Sequence, residues 1–172
     1  PARTPLVLFG AGHVGQALVR FLAELPFDVI WIDPRAERLP VSPPVNVRPI
    51  LTADPVAEVA GLPADVPALV MTHDHGLDQR LVSALLRRPG DAFVGLIASE
   101  VKAARFRMRL AAEGIEAARL ERLVSPVGLR DVPGKEPMAV AVSIAGQLLQ
   151  QVRGTRVGTA PEAGRHQGLR WR

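Results

Sequence analysis

Cysteine is absent from the chain, which excludes disulfides, thiolate metal sites and a thiol nucleophile within these 172 residues. Aromatic residues make up only 4%, with no tyrosine, too few for base-stacking platforms. No apolar run approaches the ~20 residues that span a bilayer. No basic-then-apolar leader precedes the first apolar run, so a cytoplasmic chain with no membrane contact is expected. Lysine is almost missing as well. Of 21 cationic residues only Lys102 and Lys135 are lysines.

The hydrophobic fraction of 48% and charged fraction of 22% are those of a globular protein. A chain of this length suits one domain, with a core large enough to need no staple. The net charge of +4 comes from arginine, and the arginines are scattered. Arg105, Arg107 and Arg109 fall on one expected helix, where positions 105 and 109 share a face and 107 does not. No basic stripe or nucleic-acid motif forms, so the arginines read as solvated surface and no nucleic-acid partner is expected.

Short apolar runs alternate with helical periodicity, the pattern of a parallel βαβ sheet. Strands are expected at Leu6–Phe9, Val29–Ile32, Ala68–Thr72 and Phe93–Ile97, with shorter ones near Val45–Arg48 and Val124–Val127. Helices are expected from Val14 to Leu25, Asp54–Ala60, Leu77–Arg88, Ser99–Gly114 and Glu116–Leu123, with a last one opening at Pro137. The fold class is therefore α/β: a Rossmann-like, doubly wound, mostly parallel sheet with helices on both faces. Residues 1–153 form this domain. From Gly154 the pattern dissolves, and residues 154–172 read as a flexible Arg/Gly-rich tail. The small, apolar last helix suits packing within the fold or across a homodimer.

Gly10-Ala11-Gly12-His13-Val14-Gly15 is a G-x-G-x-x-G sequence set between an expected strand and an expected helix. In that context Gly10 permits the turn, Gly12 admits a phosphate to the backbone, and Gly15 lets helix and strand pack closely. The helix N-terminus, where His13 and Val14 lie, offers free N–H groups to an anion. Asp33 ends the second strand at about the ~20-residue spacing expected of a carboxylate that bonds a ribose diol. Arg35, two residues on, leaves a 2′-phosphate conceivable, although Asp33 would repel it. NAD(P) is one possible ligand.

His73, Asp74, His75 and Asp78 follow the fourth strand, which neighbours the first in a 3-2-1-4-5-6 sheet, so this turn should face the glycine loop. The cluster can contact a ligand, relay a proton or bind a metal; equally, His73 and Asp74 can cap the next helix. Tetrahedral sites usually take three or four protein ligands, and no H-x-x-x-H or distant His pair completes one, so no metal is assigned. Ser99 and Lys102 lie at the following strand–helix junction, and Lys135 at the mouth of the last helix. Both lysines thus stand at helix N-termini, where anions bind.

Phe9–Leu18, Asp33-Pro34-Arg35, Val70–His75 with Asp78, Gly95-Leu96-Ile97 with Ser99 and Lys102, and Gly134-Lys135-Glu136-Pro137 together resemble the XdhC/CoxI family. These are xanthine dehydrogenase accessory factors, and the resemblance, over about residues 6–150, is to their C-terminal Rossmann domain. Ala98 and Ser125 stand where that family commonly has Gly and Cys. The resemblance implies an accessory protein, not a catalyst. Such a protein binds the molybdenum cofactor (molybdopterin), supports its sulfuration by a cysteine desulfurase, and delivers it to a xanthine dehydrogenase-type molybdenum hydroxylase. It makes Gly10, Gly12, His13, Gly15, Asp33, His73, His75, Asp78, Ser99 and Lys135 candidate cofactor-binding residues. Val14, Arg35 and Lys102 join them from the loops already described. The alternatives are an NAD(P)-binding oxidoreductase, with a histidine relay beside the nicotinamide, and a nucleotide-sensing domain.

Overall fold

In the first strand, β1 (Thr4–Phe9), Leu6 and Leu8 turn to one face while Val7 and Phe9 turn to the other, all essentially inaccessible. A strand buried on both sides requires helices on both sides, and they are there. The computed structural model describes residues 2–157, and the side chains of residues 2–152. After β1 come α1 (His13–Leu22), β2 (Phe27–Asp33), β3 (Val47–Leu51), α2 (Pro55–Glu58), β4 (Ala68–Val70) and α3 (His75–Arg87). The chain continues with β5 (Val94–Leu96), α4 (Glu100–Ala112), α5 (Ala117–Leu120), β6 (Leu123–Val124) and α6 (Pro137–Val157). All six strands are parallel, in the order β3-β2-β1-β4-β5-β6. This is the doubly wound Rossmann arrangement the alternating pattern predicts.

One face of the sheet packs Leu6, Leu8 and Leu69 against Leu18 and Leu22 of α1 and Ile144 and Leu148 of α6. On the other face Phe9, Val70 and Leu96 meet Leu81 and Leu85 of α3 and Phe106 and Leu110 of α4. Helix α6 thus packs inside the fold, on α1. It also runs to Val157, past the expected boundary at Gly154; the remainder of the expected tail lies outside the described residues. Other boundaries shift for local reasons. Helix α1 stops at Leu22, since Pro26 disfavours helical backbone at Leu25. Strand β6 is only Leu123–Val124, after which Pro126 has no N–H to continue the ladder. Strand β3 sits at 47–51 and accommodates Pro49 because it is an edge strand. Val29 donates to the Asn46 carbonyl and Thr52 to the Asp33 carbonyl, so even-numbered residues turn their backbone to β2 and Pro49 turns its backbone to the free edge.

The arginines find a use that composition does not reveal. Arg119 and Arg122 both donate through Nη1 to the carbonyls of Leu86 and Arg88, closing the C-terminal end of α3. Nε of Arg122 also donates to the Ala92 carbonyl at 2.9 Å. Arg107 holds the carbonyls of Leu120 and Leu123, and Arg88 those of Leu62 and Pro63. A guanidinium carries five donors in a planar fork and serves several carbonyls at once, which an ammonium on a flexible stem does less well. Among the described residues, no helix is long and apolar enough to cross a membrane.

Arg122→Ala leaves three carbonyls without this donor at a half-buried joint. It should lower stability by about 1–3 kcal/mol, read as a shift in the urea midpoint, with Arg122→Lys recovering only part of the loss.

Candidate functional site

Three glycines in three different surroundings shape the loop between β1 and α1. Gly10 has φ +114°, and a methyl group there would collide with the Met71 carbonyl at the end of β4. A methyl at Gly15 would strike the Gly10 carbonyl. At Gly12 a methyl would meet nothing within 4 Å. Gly10 and Gly15 therefore serve packing, while Gly12 leaves backbone open to the crevice. Helix α1 begins at His13 with no side-chain cap and no acidic residue in its first turn, so its leading N–H groups keep their affinity for an anion. His13 is exposed; Val14 is half-buried and its side chain packs on the core, leaving its backbone to the loop.

Side chains behind the loop hold it in place. The indole N–H of Trp31 donates to the Gly10 carbonyl at 2.9 Å, and the Gln16 amide donates to the carbonyls of Ala11 and Arg38 at 3.1 and 3.4 Å. Asp33, 1% exposed, accepts the Ala11 N–H on Oδ2 at 2.7 Å. Its other bonds all come from Arg35: backbone N–H and Nε to Oδ1, and Nη2 to Oδ2, each at 2.9 Å. Burial raises the Asp33 carboxyl, but the donors from Arg35 and Ala11 outweigh it and hold the group below its ordinary range.

Across the switch point between β1 and β4, the second cluster surrounds the mouth of α3. Asp74 is the cap, accepting the N–H groups of Gly76 and Leu77 at 2.7 and 3.1 Å; His73 is exposed and takes no part in the cap. Asp78 is 2% exposed. Its Oδ1 accepts the Thr72 hydroxyl at 2.6 Å and the Thr72 N–H at 3.0 Å, while Oδ2 lies 3.7 Å from Nδ1 of His75. Burial pushes the Asp78 carboxyl upward, against the pull of the Thr72 bonds. Nε2 of His75 lies 3.5 Å from the Lys102 ammonium, its natural donor, and the ring stands edge-on to Phe106. Ser99 caps α4 by accepting the Lys102 N–H at 3.3 Å.

The fold thus brings His75, Asp78 and Lys102 together, and ties Gly10 to Met71 of the adjoining turn. Lys135 is not joined to either cluster. It is exposed, its backbone N–H donates to Glu136 Oε2, and it shares the C-terminal rim of the sheet by topology alone. A cavity of about 250 Å³ opens beside it between α6 and the ends of β5 and β6, lined among others by Ala98, Glu100, Pro126, Arg130 and Gly134. Among the described residues no three His, Asp or Glu side chains are placed to share a metal ion. Sequence reasoning missed Trp31, Gln16 and Thr72. Only Trp31 carried a signal, since a buried indole needs an acceptor.

Residues 6–148 match the family described as the XdhC Rossmann domain. The chain is 31% identical to YqeB of Escherichia coli (strain K12) over 151 residues, which is 86% of this chain and 27% of that protein. A crystal structure of a Bacillus halodurans protein described as a xanthine dehydrogenase superposes with a TM-score of 0.74 at 26% identity, covering 92% of this chain and 45% of that one. The chain therefore spans about a quarter to a half of these relatives. A Rossmann-fold NAD(P)-binding family protein from Shigella flexneri (TM-score 0.55, 16% identity, covering 86% of this chain and 87% of that one) shares the fold.

Gly10→Ala should cost on the order of 1–3 kcal/mol through its backbone conformation, and Gly15→Ala should also destabilise; Gly12→Ala should leave the melting temperature nearly unchanged. Asp33 and Asp78 should act with opposite sign on pH. The lowered Asp33 stabilises the fold above its unfolded value of 3.8 and loses that contribution as pH falls through the folded value. The raised Asp78 destabilises progressively as pH climbs from 3.8 through its folded value. Urea midpoints across the acid range should show Asp33→Asn flattening the acid loss and Asp78→Asn flattening the opposing slope.

Proposed function

Because the chain belongs to the XdhC Rossmann-domain family, we propose that it is a cytoplasmic accessory protein that binds the molybdenum cofactor. In this reading it holds the cofactor for sulfuration and for delivery to a xanthine dehydrogenase-type molybdenum hydroxylase. The observation that carries the reading is the open backbone at Gly12, directly before an uncapped helix N-terminus. That donor set suits a phosphate ester, and the phosphate arm of a pterin cofactor is one. The N–H groups at the start of α1 would hold the phosphate. His75 and Lys102, at the mouths of α3 and α4, would face the rest of the ligand, with Asp78 orienting the imidazole from behind.

When bound, the cofactor supplies the redox-active molybdenum centre that the hydroxylase needs. This chain's residues bind, orient and shield it. With no cysteine the chain carries no persulfide, so sulfur arrives from a partner, a cysteine desulfurase. The exposed rim formed by the mouths of α3, α4 and α6 is where such a partner and the recipient enzyme would reach the ligand.

Gel filtration of the purified chain after incubation with molybdenum cofactor should show stoichiometric retention, read from molybdenum and pterin content. Gly12→Ala, whose methyl meets nothing within 4 Å of the protein, should weaken retention while leaving the melting temperature nearly unchanged. A native chain that elutes free of cofactor overturns the proposal.

A further inference from the structure

A carboxylate oxygen accepts two hydrogen bonds, so Asp33 has four acceptor positions, and all four are filled: one by Ala11 and three by Arg35. The carboxylate that ends the second strand of a Rossmann dinucleotide site does its work by accepting from the two ribose hydroxyls. Asp33 stands at that position with nothing left to accept with. Two of the four bonds, those of Ala11 and the Arg35 backbone, belong to the loop and the strand end. The other two come from the guanidinium, one on each oxygen.

We propose that Arg35 is a specificity-determining residue: its guanidinium closes the ribose-diol subsite on Asp33, so that the glycine loop accepts phosphate esters but rejects an unmodified adenosine dinucleotide. The proposal rests on the glycine loop being a phosphate cradle, as argued above. The guanidinium also changes what the tip of β2 presents. Nη1 of Arg35 has no partner among the described residues, so the outward edge is a donor edge where a diol-binding site shows an acceptor edge. A diol arriving there finds a donor for its oxygens but no acceptor for its two O–H groups, and an unmade polar contact is expensive. Asp74 and Asp78 belong to the other cluster, across the switch point; Glu37, two residues beyond Arg35, is exposed and acts on the guanidinium through its charge.

Removing the side chain at position 35 should return one acceptor position to each oxygen of Asp33, the pair that a vicinal diol requires. The experiment is calorimetry with NADH and, separately, inorganic pyrophosphate, on the full chain, on Arg35→Ala and on Arg35→Ala/Asp33→Asn. The native chain should bind pyrophosphate and show NADH affinity at least about a hundredfold weaker than Arg35→Ala, the size expected for two hydrogen bonds to a charged group. The double variant should lose that gain, and pyrophosphate binding by the native chain reports on the glycine loop independently of the diol subsite. Circular dichroism melting establishes that each variant is folded, and Arg35→Gln provides a second route should Arg35→Ala fail to fold. A native chain that binds NADH as tightly as the variant overturns the proposal. Pyrophosphate binding with no gain of NADH affinity on truncation overturns the role of Arg35 alone. Failure of every folded form to bind pyrophosphate or NADH overturns both this proposal and the phosphate-cradle reading.

Discussion

The site depends on one buried charge. Asp33 ends β2 inside the protein, and a carboxylate there is tolerated only if its oxygens are satisfied. The Ala11 N–H and the Arg35 fork satisfy them, and in doing so they fix the path of the glycine loop relative to the strand beside it. Trp31 and Gln16 complete the brace from the same side. The loop is therefore rigid before any ligand arrives, and the entropy of ordering it is already spent in folding. At Gly12 what faces the crevice is backbone, while Trp31, Gln16 and Asp33 brace the loop from behind.

The sheet was legible in the sequence because its central strands β1, β4 and β5 are short apolar runs and the longer helices between them carry apolar residues at helical spacing. Gly10 and Gly15 were legible as well, for their spacing encodes the turn and the close helix–strand packing of a single βα unit, although the Met71 carbonyl that crowds Gly10 comes from the end of β4. What escaped was longer in range or finer in geometry. The saturation of Asp33 depends on the rotamer of a side chain two residues on, which residue types alone do not specify. Neighbouring positions suggested that Asp33 would repel a phosphate; paired with Arg35, it is already neutralised. His75 and Lys102 are 27 residues apart and meet only because β4 and β5 are adjacent, so that α3 and α4 open side by side. The cap at α3 falls to Asp74 alone, although His73 shared the prospect. Lys135, matched to Lys102 by its place before a helix, is brought to the same rim without contact.

Arginine and lysine divide the labour of this chain. Half-buried at the joints between α3, α5 and β6, guanidinium groups replace water on carbonyls that regular structure leaves open, and they do so at the rim opposite the glycine loop. The scarce ammonium groups sit at helix mouths, where a compact, mobile charge can follow an anion. Composition counted both as cations; position separates scaffolding from recognition.

Pro49 adds a constraint on how the molecule associates. Its missing N–H lies in the outermost row of backbone groups on β3, and at the other margin β6 is two residues long. A strand from another chain that tried to continue the sheet would find a gap in the donors on one side and almost no ladder on the other. Helix faces and loop rims carry no such obstacle to association.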